Sequence, residues 1–346
     1  MRPLLNTLYV TSAEAWLRKD GANVVVEIDR DERARVPLHM LAGIVTFGRP
    51  GLSPALMSAC AEAMITVSCL DPNGRFLARI EGVRTGNVLL RRTQFRVADD
   101  PLRCVLIVRG IVVAKTSNQR VVLMRALRDH GDRMDSSHRA DLVSGSDRLA
   151  AIARRALVMG DVAGLRGLEG EAAALYFGLF DHLVLKSSEA FAFRGRSRRP
   201  PLDRVNALLS FLYAVLGHDC RSALETHGLD PQVGFLHSDR PGRASLALDL
   251  MEELRPVMAD RLALTLINRG QARADDFIVE AAGAVRMTDA FRKQVLVAWQ
   301  ERKREELKHP FLDETIPLGM LANVQAQLLA RHLRGDLDGY PAFVWR

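Results

Sequence analysis

About eighty residues into this chain the hydrophobic pattern changes its period, and that change limits the fold more than any other feature. Before it, LNTLYVTS, EAWLRKD, NVVVEID, RARVPL and GIVTFG are short, β-branched or alternating runs, broken by Asp-Gly and Asp-Arg-Asp turns, which predicts strands. One helix interrupts them. SPALMSACAEA opens on Ser53 with Pro54 in the first turn, where a missing N–H costs nothing. ITVSCLD and GRFLARIE, joined by PNG, then predict a hairpin. From about Asn87 the apolar residues recur at helical spacing, first in VLLRRTQF and then in the long run DDPLRCVLIVRGIVVAKTSNQRVVLMRALRD. Asp99 or Asp100 suits its N-cap, and Pro101 its first turn. Further helices are predicted at DRLAAIARRALV, EGEAAALYFGLFDHLV, DRVNALLSFLYAVLGHDC, PVMADRLALTLINRG, MTDAFRKQVLVAWQERKREELKH and PLGMLANVQAQLLARHLRG.

The expected class is therefore α+β: a small β-rich domain with one helix over residues 1–80, a linker or hinge over 81–97, and a larger all-helical domain over 98–346. Gly82 and Gly86 mark the hinge, and Arg91, Arg92 and Arg96 there suit either a partner or a solvated helix face. With 48% hydrophobic and 26% charged residues, 346 residues suffice for two cores, which excludes large-scale disorder. The net charge of +7 rests on Arg far more than Lys, and guanidinium grips phosphate in bidentate fashion, so phosphate-rich partners are expected.

Cys60, Cys69, Cys104 and Cys220 form no CxxC pair and lie in or beside apolar stretches, as reduced packing residues do. The first residues lack a signal-peptide pattern, and no apolar run reaches the ~20 residues that a membrane span needs. A soluble, cytoplasmic protein with no membrane contact is the expectation.

Candidate chemistry is concentrated in a few segments. In GLEGEAAALYF, Glu169 is read near the start of a helix, with Ala172, Ala173, Tyr176, Phe177 and Phe180 as its neighbours at helical spacing. That bulky row turns the carboxylate inward, where it needs a cation or hydrogen-bond donors. A first-turn Glu serving the helix dipole is the plainer alternative, and for Tyr176 core packing is the plainer role. His237 follows Phe235 and Leu236 and precedes the polar turn SDRPGR, at a cleft edge; Arg240 and Arg243 are placed to meet phosphate beside it. In LALDLMEELRP, Asp249, Glu252 and Glu253 fall at i, i+3 and i+4, a crowding of like charge that calls for a counter-cation. Leu250, Met251, Leu254, Val257 and Met258 define the apolar stripe, so periodicity turns Glu252 toward solvent, and nothing in the spacing selects one of the three acids. FRGRSRRPP carries Arg194, Arg196, Arg198 and Arg199 before two prolines that hold the chain extended, with Asp203 placed to cap the next helix. This run suits a nucleic-acid backbone.

The segments RGLEGEAAALYF, RRPPLDRVNALLSFLY, GLDPQVGFLHSDRPGRASLALDLMEELRP and TSNQRVVLMRALRD, in their order and context, resemble the CRISPR-associated integrase of the spacer-adaptation complex. The resemblance spans essentially the whole chain, and DLMEELRP with the closing YPAFVW is similar to type I versions, subtype I-C in particular. It implies a metal-dependent DNA endonuclease and integrase whose Glu169, His237 and Glu252 hold Mg²⁺ or Mn²⁺ and carry catalysis, with Asp249 as a possible second participant. An imidazole among carboxylates favours Mn²⁺ in affinity. Arg194, Arg196, Arg198, Arg199, Arg240 and Arg243 would hold DNA phosphates. The implied partners are double-stranded and branched DNA (prespacer and CRISPR repeat), a second copy joined through the β-rich domains, and a dimer of a small ferredoxin-like adaptation protein. Three other readings compete. They are a structure-specific nuclease acting on branched DNA in repair, a non-catalytic DNA-binding scaffold, and a helical diphosphate enzyme, which explains neither the β-rich domain nor the Arg run.

Overall fold

The computed structural model describes residues 6–345 apart from 73, 75, 81, 83–86 and 186–188. It divides into two compact units, residues 1–86 with 292–303, and residues 87–291 with 304–346.

The first unit holds strands β1 (Thr7–Val10), β2 (Trp16–Asp20), β3 (Asn23–Ile28), β4 (Asp31–Pro37), β5 (Gly43–Phe47) and β6 (Gly51–Leu52), helix α1 (Pro54–Glu62), and strands β7 (Thr66–Leu70) and β8 (Phe76–Ile80). They form two four-stranded sheets, ordered β1-β5-β7-β8 and β4-β3-β2-β6. β7 and β8 pair antiparallel, as the hairpin reading expects, whereas β1-β5, β5-β7 and β2-β6 are parallel. Ser53 Oγ accepts from the Leu56 N–H at 3.2 Å, the N-cap that its position before Pro54 predicts. Leu56 and Cys60 on α1 then join Leu17, Val24, Ile44 and Val67 in one core. Truncating such a residue costs about 2–5 kcal/mol.

The second unit begins with α2 (Val88–Asp99) and the 30-residue α3 (Pro101–His130), then α4 (Ser136–Val158), α5 (Val162–Gly178), α6 (Arg204–Thr226), α7 (Ser245–Arg255), a π-helical turn over Pro256–Asp260 and α8 (Arg261–Asn268). Strands β9 (Phe277–Val279) and β10 (Val285–Met287), α9 (Asp289–Arg304), β11 (Glu306–Lys308), β12 (Thr315–Pro317) and α10 (Leu321–Arg334) complete the chain. Residues 292–303 of α9 group with the first unit.

The α+β class stands: a strand-rich N-terminal region is followed by a helix-rich C-terminal one. Three details differ from the sequence expectation. Residues 88–97, assigned to the linker although VLLRRTQF reads at helical spacing, belong to α2, which packs on α3 and α10. The second region also holds two short antiparallel pairs, β9-β10 and β11-β12. Glu306–Lys308, read as the end of a helix, forms β11 because it pairs with Thr315–Pro317. Gly82 lies among the described residues, and Gly86 lies outside them.

α3 is the axis of the second unit, packed against α2, α4, α5 and α7. Asp100 is its cap, accepting from the N–H groups of Leu102 and Arg103 at 3.0 and 3.3 Å. Its buried face is aliphatic from Val105 to Val112 and then carries Lys115, Thr116, Asn118 and Gln119, all buried. Buried polar groups of this kind call for partners, and those of Lys115 lie in the candidate site. The four cysteines are free, three of them buried, and burial pushes the Cys60 and Cys104 thiols up to about 11. No helix among the described residues is long and apolar enough to cross a membrane.

Candidate active site

Glu169 is the eighth residue of α5, because the helix starts at Val162 with Asp161 as its cap, donated to by the Gly164 N–H at 2.7 Å. The first-turn dipole role is thereby excluded, since that effect fades within one turn. Leu165, Leu168, Ala172 and Tyr176 face the core, and Tyr176 is fully buried as a packing residue. Glu169 sits at the edge of this face with its side chain 26% exposed, where it accepts from Lys115.

Glu252 is where periodicity misleads. α7 is packed by α3, α6 and α10, so its polar side has no water to face, and Glu252 is 2% exposed. The three acids of this helix do not crowd one another. Each has its own donors. Glu252 lies 2.8 Å from Arg255 Nη1, 2.6 Å from Lys115 Nζ and 3.8 Å from His237 Nε2. The Lys115 contact is an ion pair off the line of a hydrogen bond, so Oε2 lacks an aligned donor. Burial would raise the Glu252 carboxyl, but Arg255, Lys115 and His237 together outweigh it and hold it at about 2.

Asp249, fully buried, organises the loop that carries His237. Its Oδ2 accepts from the N–H groups of Phe235 and Leu236 at 2.6 and 2.9 Å, and its Oδ1 from the N–H and Nδ1 of His237 at 2.9 and 2.6 Å. A carboxylate facing Nδ1 holds the ring so that Nε2 is turned to Glu252, the usual arrangement behind a ligating imidazole. Asp249 is thus spent on the loop, and its expected part as a second metal participant gives way to that of an anchor. Gly234 allows the approach, for a Cβ there would stand 2.8 Å from both Asp249 Oδ2 and Ser245 Cβ.

Glu253 turns to the C-terminal segment. It accepts from the Tyr340 hydroxyl, the Phe343 N–H and, at 3.2 Å, Gln325 Nε2. Asn118 ties the same segment to α3, donating to the carbonyls of Glu253 and Phe343 at 2.7 and 2.9 Å and accepting from the Trp345 N–H at 2.7 Å. Arg125 stacks over the Trp345 ring at 3.7 Å.

The arginines separate into two kinds. Arg194, Arg198, Arg199 and Arg240 are exposed and Arg243 is half-buried. Arg196 is a correction to the proposed phosphate set: its guanidinium donates to Ser197 O, Asn206 Oδ1 and Ser210 Oγ at 2.6, 2.5 and 3.1 Å and lies 5.2 Å over the Tyr213 ring. Tyr213 in turn donates to buried Asp260 at 2.6 Å, and burial raises Asp260 to about 6 against the pull of Tyr213 and Arg255.

Sequence reasoning missed Lys115, Arg255 and Arg166. Lys115 falls four residues after Ile111 on the buried stripe of α3, a cation where an aliphatic belongs, and that was a usable signal. Arg166, one turn before Glu169, donates to Leu236 O at 2.5 Å and so tethers the His237 loop to α5. Nothing in its spacing marked it.

As they stand, no three His, Cys, Asp or Glu side chains among the described residues enclose a point suited to a metal ion. The donor types nevertheless suit a hard divalent cation: a cation of the chain's own, Lys115, already stands between the carboxylates of Glu169 and Glu252, and an imidazole nitrogen of His237 lies 3.8 Å from Glu252.

A family model described as CRISPR associated protein Cas1 matches residues 8–301. The chain belongs to the Cas1 family. It is 57% identical over 347 residues to the CRISPR-associated endonuclease Cas1 2 of Rhodospirillum rubrum, with all of both chains covered. Among solved structures it is similar to a casposase bound to integration product, with a TM-score of 0.82 and 20% identity over 98% of this chain and 94% of that one. It is similar also to a chain of a Cas6-RT-Cas1–Cas2 complex, with a TM-score of 0.80 and 24% identity over 98% of this chain and 36% of that one. At these identities the two structures speak for the fold.

Proposed function

We propose that this chain is a DNA endonuclease and integrase of CRISPR adaptation, which inserts short foreign fragments as spacers by means of a divalent cation on Glu169, His237 and Glu252. The observation that supports the reading is that one ammonium, Lys115, pairs with both Glu169 of α5 and Glu252 of α7, while His237, from the loop before α7, lies 3.8 Å from Glu252. Family membership agrees with it.

Each residue's part follows from its surroundings. Asp249 orients His237 through Nδ1 and so turns Nε2 toward Glu252 and the cation. Arg255 keeps Glu252 ionised far below neutral pH despite its burial. Mg²⁺ or Mn²⁺ held there would supply a Lewis acid that polarises the phosphoryl oxygen and lowers the pKa of the attacking hydroxyl. In the reaction the 3′-hydroxyl oxygen of the incoming fragment bonds to a phosphorus at the edge of the CRISPR repeat, and the bond from that phosphorus to the leaving 3′-oxygen breaks. The proton lost by the attacking oxygen is made good on the leaving one through solvent, so no external energy source is needed. Water in place of the hydroxyl turns the same site into a nuclease.

Arg194, Arg198, Arg199, Arg240 and Arg243 are the residues left to hold flanking phosphates, by contacts that weaken with salt. The working assembly is a homodimer joined through the strand-rich unit, with two dimers bridged by a dimer of a small ferredoxin-like adaptation partner, in the cytoplasm. The likeness to a chain solved within a complex containing Cas2 supports the partner.

Strand transfer on a branched DNA that mimics a half-integrated spacer tests the reading, with Mn²⁺, with EDTA and with Glu169→Ala. Rejoining of the target strand is expected only with metal and intact Glu169. DNA that binds but is neither cut nor rejoined under any cation would make the chain a scaffold.

A further inference from the structure

Lys115 is the most conspicuous group that the proposed chemistry leaves unused. Its side chain is 5% exposed, it rises from the aliphatic stripe of the central helix, and its ammonium pairs with Glu169 on one side and Glu252 on the other. A lysine is this deeply buried only where anions hold it. The two carboxylates otherwise carry two negative charges, and among the described residues the further Lys or Arg paired with them is Arg255, 2.8 Å from Glu252. Lys115 and Arg255 together bring the local charge to zero.

We propose that Lys115 is the resident counter-cation of this site, holding Glu169 and Glu252 together until a divalent ion displaces its ammonium, which then turns to the phosphate entering with that ion. The inference rests on the reading of Glu169, His237 and Glu252 as cation ligands.

Charge balance supplies the reason for displacement. A divalent ion added beside a retained ammonium would leave two uncompensated positive charges in a buried place, and like charges within a few ångströms repel strongly there. Withdrawal of the ammonium removes one, and a phosphodiester removes the other. Cation and DNA therefore bind better together than apart. The geometry permits the exchange. Lysine is a compact charge on a flexible four-carbon stem, and Glu252 Oε2 faces it without an aligned hydrogen bond. Arg255, by contrast, stays with Glu252 Oε1 as a fixed partner one turn along the same helix.

The test is a Mn²⁺ titration of the full chain followed by the free-ion electron paramagnetic resonance signal, for wild type, Lys115→Met and Glu169→Gln, with melting curves in EDTA and in Mn²⁺. Lys115→Met should bind Mn²⁺ roughly tenfold or more tightly than wild type, and should melt lower in EDTA while gaining more from Mn²⁺. Equal or weaker binding by a folded Lys115→Met overturns the proposal and leaves the metal reading intact. Absence of any Mn²⁺ binding sensitive to Glu169→Gln defeats the metal reading itself. Amine labelling of the wild-type chain, read by mass spectrometry, gives a second measurement that does not depend on the folding of Lys115→Met. Lys115 should label slowly in EDTA and several-fold faster with Mn²⁺, whereas an unchanged rate in a chain shown to bind Mn²⁺ overturns the exchange.

Discussion

Glu252 and Glu253 are neighbours on one helix and equally buried, yet their surroundings are opposite in kind. Glu252 faces three cationic or imidazole groups that come from α3, α7 and the loop before it, and its carboxyl is held at about 2. Glu253 faces a hydroxyl, an amide and a backbone N–H of the C-terminal region, and burial pushes it up to about 7 in spite of them. Neutral donors hold a carboxylate in place as structure, whereas an ionised carboxylate among exchangeable charges can take another cation. Burial alone separates nothing here. The sign of the partners does.

The largest effect expected from breaking this contrast is on strand transfer. Glu252→Gln should lower its rate on the order of 10³-fold, because a lost ligand removes several kcal/mol of charge stabilisation, while Glu253→Gln should leave most of the rate when both are assayed well below their melting temperatures. Stability should respond the other way. Glu253→Ala strands Tyr340, Gln325 and the Phe343 N–H in the interior and should cost about 3 kcal/mol or more, read from urea midpoints.

Next in size is Asp249→Asn, which keeps the shape of the anchor but removes the carboxylate that fixes His237. Metal affinity and strand transfer should each fall about 10–100-fold, with DNA binding in EDTA unchanged in a gel-shift assay.

The two carboxylates also predict opposite pH dependences. Glu253 at about 7 and Asp260 at about 6 lie above their ordinary values of 4.5 and 3.8, so the folded form holds their protons more tightly. The stability they lend is full at pH below those ordinary values and is lost as pH rises through about 6 and 7. Glu252, lowered from 4.5 to about 2, lends stability that is full above 4.5 and is lost as pH falls toward 2. Urea midpoints against pH should therefore decline on both sides, and Glu253→Gln should flatten the decline between pH 5 and 8 without touching the acid side.

The smallest effects separate the arginines. Arg198→Ala and Arg199→Ala should each weaken DNA binding and reduce the salt slope by about 1 with stability unchanged, whereas Arg196→Ala, by removing the guanidinium that donates to Asn206 and Ser210, should destabilise the chain.

What the sequence disclosed was local. The Ser53-Pro54 and Asp100-Pro101 starts, the alternating strands and the change of period near Asn87 are each written within one segment, and each was readable for that reason. The beginning of α5 was hidden by Gly164, Gly167 and Gly170, which lower helix propensity without preventing the helix. The Glu252 orientation was unreadable by period, since a helix packed on all sides has no wet face for the period to mark. Family resemblance, not spacing, singled out Glu252; the place of Lys115 on an aliphatic stripe marked it as unusual, but its partners, on two other helices, were not readable from the segment.

The central claim, that Glu169, His237 and Glu252 form a divalent-cation site, is met most directly by a crystal structure of the chain grown with Mn²⁺ and read by its anomalous scattering. The account predicts a Mn²⁺ peak bounded by these three side chains, with the Lys115 ammonium withdrawn from between Glu169 and Glu252. A saturating Mn²⁺ concentration that leaves Lys115 in place and puts no anomalous peak there would contradict it.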